Sequence, residues 1–152
     1  MIEAMNMAKV AFTNNEVPVG AIVVHNGEII GRGFNQVIKK DSVSSHAEIN
    51  AINQASKFLK NYRLNGCDMY VTLEPCHMCA KAIVDARINF LYFGANEPKT
   101  GAIESIDQFL DREDINHNLG FSGGHMKNES SELLRKFFKF KRAEKASQKK
   151  LF

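Results

Sequence analysis

The strongest constraint on the fold comes from two short groups of potential metal ligands, Ser45-His46-Ala47-Glu48 and Pro75-Cys76-His77-Met78-Cys79. A Cys-x-x-Cys pair at a helix start lets both sulfurs reach one cation, because one helical turn brings them to the same side. His46 has to be delivered from a different helix start. The pattern therefore predicts a metal centre held by His46, Cys76 and Cys79, with two helix N-termini meeting at one point.

A site with three protein ligands is typical of catalytic zinc. Structural zinc sites are usually closed by four protein ligands, whereas catalytic sites leave the fourth position to water. Zinc lowers the pKa of bound water from about 16 to about 7, which provides a nucleophile at neutral pH. Glu48, two residues past His46, is placed to take up the proton of that water and to pass it to a substrate.

Each part of this pattern has a simpler interpretation. Ser45 and Glu48 also have the spacing of a capping box, in which Glu48 bonds back to the Ser45 amide. A Cys-x-x-Cys pair alone is found in redox-active folds and in structural zinc sites. His77 is an alternative third ligand, although it would be strained inside the Cys-x-x-Cys turn. The combination is far more specific than its parts, and it is typical of zinc-dependent nucleobase deaminases.

Length and composition indicate one globular domain spanning residues 1–152. The hydrophobic fraction is 44% and the charged fraction 24%, as in ordinary folded proteins. Three cysteines without a secretory leader argue against a disulfide framework, and Cys67 is expected to be a packed bystander. Residues 1–12 lack a signal-peptide core, and no apolar run approaches the roughly 18 residues of a membrane span. We therefore expect a cytoplasmic protein with no membrane partner.

Charge is unevenly distributed along the chain. Residues 127–152 carry nine Lys and Arg and three Glu, a local net charge of +6, whereas the first 126 residues carry −3. A basic end on a mildly acidic body favours a polyanionic partner such as nucleic acid. Cationic terminal helices are also often merely solvated, so charge alone leaves both interpretations open.

Hydrophobic periodicity predicts alternating helices and strands. Helices are expected over residues 1–14, 45–60, 75–86, 103–110 and from about 131 to 145, and strands over residues 17–24, 28–34, 68–73, 88–93 and, more weakly, 118–122. Asn26-Gly27 indicates a hairpin between the first two strands. In the last helix, Leu133, Phe137 and Phe140 are expected in the core, and Phe138 on a half-exposed stripe among lysines. Strands alternating with helices predict an α/β sheet covered on both faces.

Sequence runs along nearly the whole chain resemble the bacterial tRNA-specific adenosine deaminases, a family of the zinc-dependent cytidine/deoxycytidylate deaminase-like superfamily. The runs are residues 16–21 (EVPVGA), 46–49 (HAEI), 61–64 (NYRL), 70–76 (YVTLEPC), 78–80 (MCA), 93–95 (FGA), 98–102 (PKTGA), 116–117 (NH) and 137–138 (FF). The resemblance implies a three-layer α/β/α cytidine deaminase-like fold with a five-stranded mixed sheet, one Zn²⁺ per subunit and a homodimer.

The activity that the resemblance implies is hydrolysis of adenosine to inosine at the wobble position, 34, of a tRNA anticodon, with release of ammonia. Glu48 would be the proton shuttle. Asn35 and the Ala47 backbone would hold the nucleoside, and Val19 and Leu73 would be pocket walls. Lys99, in a loop that favours RNA, and Phe138 and Lys141 on the last helix are the predicted contacts to the anticodon stem-loop.

Two runs depart from the family pattern. Residues 42–44 are Ser-Val-Ser where the family usually has Asp-Pro-Thr, and Glu97 replaces an aspartate near the ribose. Both departures concern RNA contacts and not the metal chemistry. Two other functions stay open at this point: deamination of a free nucleobase or nucleoside, such as guanine or cytidine, and a non-catalytic zinc module. Glu48 argues against the module, since a structural site needs no acid beside an open metal position.

Overall fold

The fold is a five-stranded sheet with helices on both faces, seen in a computed structural model whose described residues are 1–150. In chain order, the elements are α1 (Ile2–Thr13), β1 (Gly20–His25), β2 (Glu28–Phe34), α2 (Ala47–Leu59), β3 (Cys67–Leu73), α3 (His77–Asp85), β4 (Phe90–Ala95), a 3-10 turn (Phe109–Asp111), β5 (Gly120–Ser122) and α4 (Lys127–Lys149). No described helix is both long and apolar enough to cross a membrane.

The sheet is mixed, with strand order β2-β1-β3-β4-β5. Strand β1 pairs antiparallel with β2 and β3, while β3, β4 and β5 run parallel to one another. Helices α1 and α4 contact each other on one face of the sheet, and α2 and α3 contact each other on the other. The predicted three-layer α/β/α fold with a five-stranded mixed sheet is therefore confirmed.

The buried central strands of the sheet determine where the functional site lies. Met69 and Val71 of β3 and Leu91 and Phe93 of β4 are fully buried between the helical layers, which explains why these strands are rich in apolar residues. Because β3 and β4 are parallel, their carboxyl ends lie side by side, where Leu73 pairs with Ala95. The chain leaves β3 directly into the Pro75-Cys76 segment, so the sheet places the metal ligands at this edge.

Helix α2 lies unusually close to β2 because Gly33 has no side chain. A Cβ at Gly33 would collide with the carbonyl oxygen of Ala47 and the backbone nitrogen of Ala51, both on α2. The same helix begins next to His46 and carries Glu48 in its first turn. The glycine therefore sets the distance between the sheet and the helix that delivers the metal ligand and the proposed proton shuttle.

Several element boundaries differ from the predicted ones. The first strand starts at Gly20 and not at residue 17, and β4 is shifted to Phe90–Ala95. Pro75 precedes the N-cap Cys76 and is outside α3. The predicted helix over residues 103–110 is wrong: only Phe109–Asp111 forms a 3-10 turn. The backbone N–H groups of residues 103–105 donate to the Glu74 side chain instead of a helical ladder.

The terminal helix α4 is longer than predicted, and fewer of its apolar side chains are buried in the core than predicted. Phe137 is buried and packs edge-on against Phe12 of α1, as expected of a core residue. Phe140 was expected in the core, but it is 52% exposed. It lies almost one helical turn further along α4 than Phe137, the residue whose ring packs against α1. The prediction of a half-exposed Phe138 is confirmed, as is that of a buried Cys67.

We expect Gly33→Ala to destabilise the protein, because the new methyl group must push α2 away from β2. Overpacking of this kind costs about 1–3 kcal/mol in the free energy of unfolding. Equilibrium urea unfolding would measure it, with Glu28→Ala at the exposed end of the hairpin as control. An unfolding free energy of Gly33→Ala equal to that of the control would contradict the close approach.

Candidate metal centre and its pocket

The three predicted metal ligands meet between the starts of two helices. His46 is the N-cap of α2 and Cys76 the N-cap of α3, and neither residue uses its own side chain to cap its helix. Cys79 lies on the first turn of α3 and is fully buried. The two N-termini carry partial positive charge, which favours thiolate over thiol at this point.

The spacing of the three side chains fits one tetrahedral zinc ion. The Nδ1 atom of His46 lies 3.7 Å from the Cys76 sulfur and 3.5 Å from the Cys79 sulfur. Zinc bonds of about 2.3 Å to sulfur and about 2.0 Å to nitrogen, at a tetrahedral angle, would separate the two atoms by about 3.5 Å. All three donor atoms lie within 4.8 Å of one another. Residue types and distances therefore both fit zinc.

The pKa shifts of the two thiols and of His46 also fit a metal site. The pKa of Cys76 is lowered to about 4, because its sulfur accepts hydrogen bonds from Cys79 and His46, although burial opposes the shift. The pKa of Cys79 is raised, because its thiol donates to Cys76 and is itself buried. The hydrogen bond to Cys76 likewise raises the pKa of His46. Cys76 is therefore favoured as a thiolate, and the protons favoured on Cys79 and His46 are those that a divalent cation would displace.

The alternative third ligand, His77, points away from this centre. Its Nε2 atom lies 2.8 Å from Asp107, and its side chain is about half exposed. The capping box is also not formed, since Ser45 precedes the N-cap His46 and makes no cap hydrogen bond. Instead, the side-chain oxygen of Asn35 accepts the N–H of Ala47 at 2.9 Å.

Glu48 lines a cavity of about 310 Å³ next to the metal ligands. Glu48 is 4% exposed, and this burial raises the pKa of its carboxyl group. The lining combines a few polar groups with apolar walls: Glu16, Val17, Val19, Asn35, Val37, Ile38, His46, Glu48, Leu73, Glu74, Cys76, Glu97 and Thr100. A mostly apolar recess lined in part by an acid and two of the metal ligands suits a planar heterocycle.

The predicted substrate residues fall into two groups in the structure. Val19, Asn35, Leu73 and Glu97 line the cavity. Ala47 is fully buried behind it, and its N–H is already taken by Asn35. Their roles toward a substrate stay predictions.

The predicted RNA contacts lie outside the cavity. Lys99 and Phe138 line a second recess, of about 600 Å³, together with Leu134, Arg135, Lys139 and Arg142 of α4. Lys141 does not line this recess, and its ammonium group lies 2.9 Å from the Glu144 carboxylate.

Sequence reasoning missed six residues that line the cavity, namely Glu16, Val17, Val37, Ile38, Glu74 and Thr100. Glu16, Val17, Glu74 and Thr100 stand in family runs, which are an available signal, but none of these four residues was given a role in the site. Val37 and Ile38 stand in an aperiodic loop without such a signal. Glu16 supports this loop, since its side-chain oxygen accepts the N–H of Lys39 at 2.8 Å.

Comparisons with known proteins match this chain to deaminases. The family model of the MafB19-like deaminases matches residues 1–142. A tRNA-specific adenosine deaminase of Agrobacterium fabrum is 45% identical over 91% of this chain and 91% of its own length. One of Bacillus subtilis is 40% identical over 99% of this chain and 94% of its own. A solved structure from work on A-to-I editing by tRNA:A34 deaminases has a TM-score of 0.86 and 43% identity, covering 88% of this chain and 97% of its own.

We expect His46→Ala to lose the metal and much of the stability of the fold, because binding energy at a ligand is also folding energy. Metal analysis by mass spectrometry would find about one zinc per chain in the wild type and far less in the variant. His77→Ala and Cys67→Ala serve as controls and keep their zinc. Loss of zinc from His77→Ala but not from His46→Ala would show that His77, and not His46, is the third ligand.

Proposed function

Since the chain belongs to the MafB19-like deaminases and to the tRNA-specific adenosine deaminases, we propose that it hydrolyses adenosine to inosine at the wobble position of a tRNA anticodon. The observation that carries this proposal is the meeting of three metal ligands and a buried glutamate beside a cavity. In the reaction, water adds its oxygen to C6 of the purine, and the C6 amino group leaves as ammonia.

His46, Cys76 and Cys79 would hold one zinc ion. Bound there, zinc supplies Lewis acidity, which makes a water molecule a competent nucleophile near neutral pH. Glu48 takes one proton from the attacking water and passes it to the ring nitrogen, and it then carries the proton of the resulting C6 hydroxyl group to the departing amine, so that both protons of the water are used. Burial raises the pKa of Glu48. A carboxyl group with a raised pKa holds the transferred proton more readily than an exposed one.

The cavity walls support a nucleobase as the group that enters. Val19 and Leu73 provide apolar surface for the faces of a flipped-out base. Asn35 uses its side-chain oxygen to accept the N–H of Ala47, which leaves its amino group free to donate a hydrogen bond to the nucleoside. Taking a base out of a loop costs less than taking it from a duplex, which suits an anticodon as substrate.

The recess beside the cavity supports RNA over a free base. It is lined by four cationic side chains, Lys99, Arg135, Lys139 and Arg142, and by no carboxylate. Phe138 offers an exposed ring among them, and single-stranded RNA is bound by such combinations of stacking surface and positive charge. Lys99 connects the two sites, because its neighbours Glu97 and Thr100 line the cavity.

The homodimer and the cytoplasmic location form part of the same proposal. Phe58 and Tyr62, near the end of α2, are 62% and 67% exposed and offer apolar surface for a second copy of the chain. The three cysteines form no disulfide among the described residues, and two of them are the proposed metal ligands, which fits a reducing compartment. Analytical ultracentrifugation tests the assembly, and a monomer at micromolar concentration would contradict the dimer.

A panel of substrates tests the choice between RNA and a small molecule. We expect the zinc-loaded protein to release ammonia from a tRNA with adenosine at the wobble position, and not from free guanine, cytidine or adenosine. Sequencing of inosine positions would locate the edited base. Ammonia from a free base and none from tRNA would replace the proposal by a small-molecule deaminase.

We expect Glu48→Gln to keep its zinc and lose turnover, because the amide has nearly the same shape but cannot carry the proton. The rate of inosine formation should fall by at least about 10²–10⁴-fold. Glu28→Gln on the hairpin is the matched control. Turnover close to that of the wild type would mean that a different group moves the proton, and absence of turnover in the wild type would favour the non-catalytic module.

We expect the recess of α4 to bind RNA through separate electrostatic and stacking contributions. Lys139→Gln should lower the dependence of log Kd on log salt concentration by about 0.7, the value for one phosphate contact on a single strand. Phe138→Ala should weaken binding of the stem-loop by about 1–3 kcal/mol without changing that slope. Fluorescence anisotropy measures both, with Lys60→Gln as control. Wild-type affinity and slope in both variants would place the RNA elsewhere.

A further inference from the structure

Glu74 is a buried acidic residue for which the reaction as described has no use. Glu74 is 2% exposed. In the chain it lies between β3 and the metal ligand Cys76, the N-cap of α3. Every group around its carboxyl oxygens is a donor. Four backbone N–H groups point at it, those of Glu97, Ile103, Glu104 and Ser105, together with the hydroxyl of Ser105 and the side-chain amide of Asn96.

These contacts fasten both ends of one loop. The N–H of Glu97, at the start of the loop, donates at 2.9 Å to one carboxylate oxygen. At the other end, Ile103, Glu104 and Ser105 donate at 3.2, 2.6 and 2.8 Å to the second oxygen. Between these two ends lie residues 98–102. One carboxylate therefore sets the shape of the whole segment 97–105, which has no helix of its own.

This segment forms one wall of the substrate cavity and part of the cationic recess. Glu97 and Thr100 line the cavity, and Lys99 lines the recess. The backbone also ties the loop to the metal side, because the N–H of Ala102 donates to the carbonyl of Pro75 at 2.9 Å. Glu74 thus connects the position of the wall to the position of the metal ligands.

Gly101 shows how tightly the loop is closed over this carboxylate. A Cβ at Gly101 would collide with the carboxylate of Glu74 and with the carbonyl oxygen of Glu97. Any larger residue would have to move the loop, because both neighbours are held in place. The glycine and the glutamate therefore form two sides of one contact.

We propose that Glu74 is a positioning residue, which holds the segment 97–105 in the shape that seats the RNA substrate beside the metal centre. The proposal rests on the function proposed above for its substrate. It differs from a role in chemistry, since Glu74 acts through the backbone of Glu97 and of residues 103–105, between which Thr100 lies. If Glu74 has this role, its substitution weakens substrate binding, while the metal content stays unchanged and the turnover rate at saturating substrate stays nearly unchanged.

The experiment compares Glu74→Gln and Gly101→Ala with the wild type and with the control Glu28→Gln, all zinc-loaded. The amide of Glu74→Gln turns an N–H₂ group toward donors, so the loop loses acceptors. We expect KM for an anticodon stem-loop to rise by about tenfold, the equivalent of one or two lost hydrogen bonds to a charged group. We expect kcat to stay within about threefold, whereas partial unfolding lowers the active fraction and leaves KM unchanged.

A second readout needs no substrate. Native-state hydrogen exchange of the amides of Glu97, Ile103, Glu104 and Ser105 should accelerate in both variants by about tenfold or more, while exchange in β3 and α2 stays slow. The double variant should resemble the worse single variant, because both changes break one contact. If Glu74→Gln does not fold, Gly101→Ala carries the test alone.

Unchanged loop exchange together with an unchanged KM would overturn the proposal, and so would a fall in kcat at constant KM. Additive effects in the double variant would show that the two residues act separately, which also overturns it. A wild type without activity on RNA would refute the proposed function, and the exchange data would then decide alone whether Glu74 positions the loop.

Discussion

The structure depends on bringing two helix N-termini to the same edge of the sheet. His46 caps α2 and Cys76 caps α3, and both helices lie on the same face. Parallel pairing of β3 and β4 brings their carboxyl ends, and with them residues 74–76 and 96–97, to this edge. The two partial positive charges favour thiolates there, and the thiolates in turn can hold a cation.

The packing around this point is tight for the same reason. Gly33 lets α2 approach β2 closely, and Asn35 bonds the first turn of α2 through the N–H of Ala47. The same asparagine lines the cavity. Gly33 and Asn35 therefore contribute to packing and also fix the separation between the metal ligands, Glu48 and the substrate. A small shift of α2 would affect all three.

Most of the fold and the metal centre could be predicted from the sequence, because they depend on strong local signals. Hydrophobic periodicity located most helices and strands, Asn26-Gly27 marked the hairpin, and the spacing of His46, Cys76 and Cys79 pointed to the ligands. The pocket was only partly predictable. Val37 and Ile38 reach it from an aperiodic loop, and no local pattern shows which loop residues a tertiary fold will turn inward.

The failed predictions have the same origin in long-range contacts. Residues 103–110 have helical spacing, but a side chain some 30 residues earlier takes the N–H groups that would begin the helix. Phe140 has the spacing of a core residue, but α1 covers only the part of α4 around Phe137. In both cases tertiary partners decided an outcome that local pattern left open.

The most direct test is a crystal structure of the zinc-loaded protein, with anomalous scattering at the zinc edge to locate the ion. The account predicts one ion bonded to His46, Cys76 and Cys79 at about 2.0–2.3 Å, a solvent oxygen as the fourth ligand, and the Glu48 carboxylate within hydrogen-bond reach of that oxygen. A fourth protein side chain on the ion, or a Glu48 turned away from it, would contradict the account.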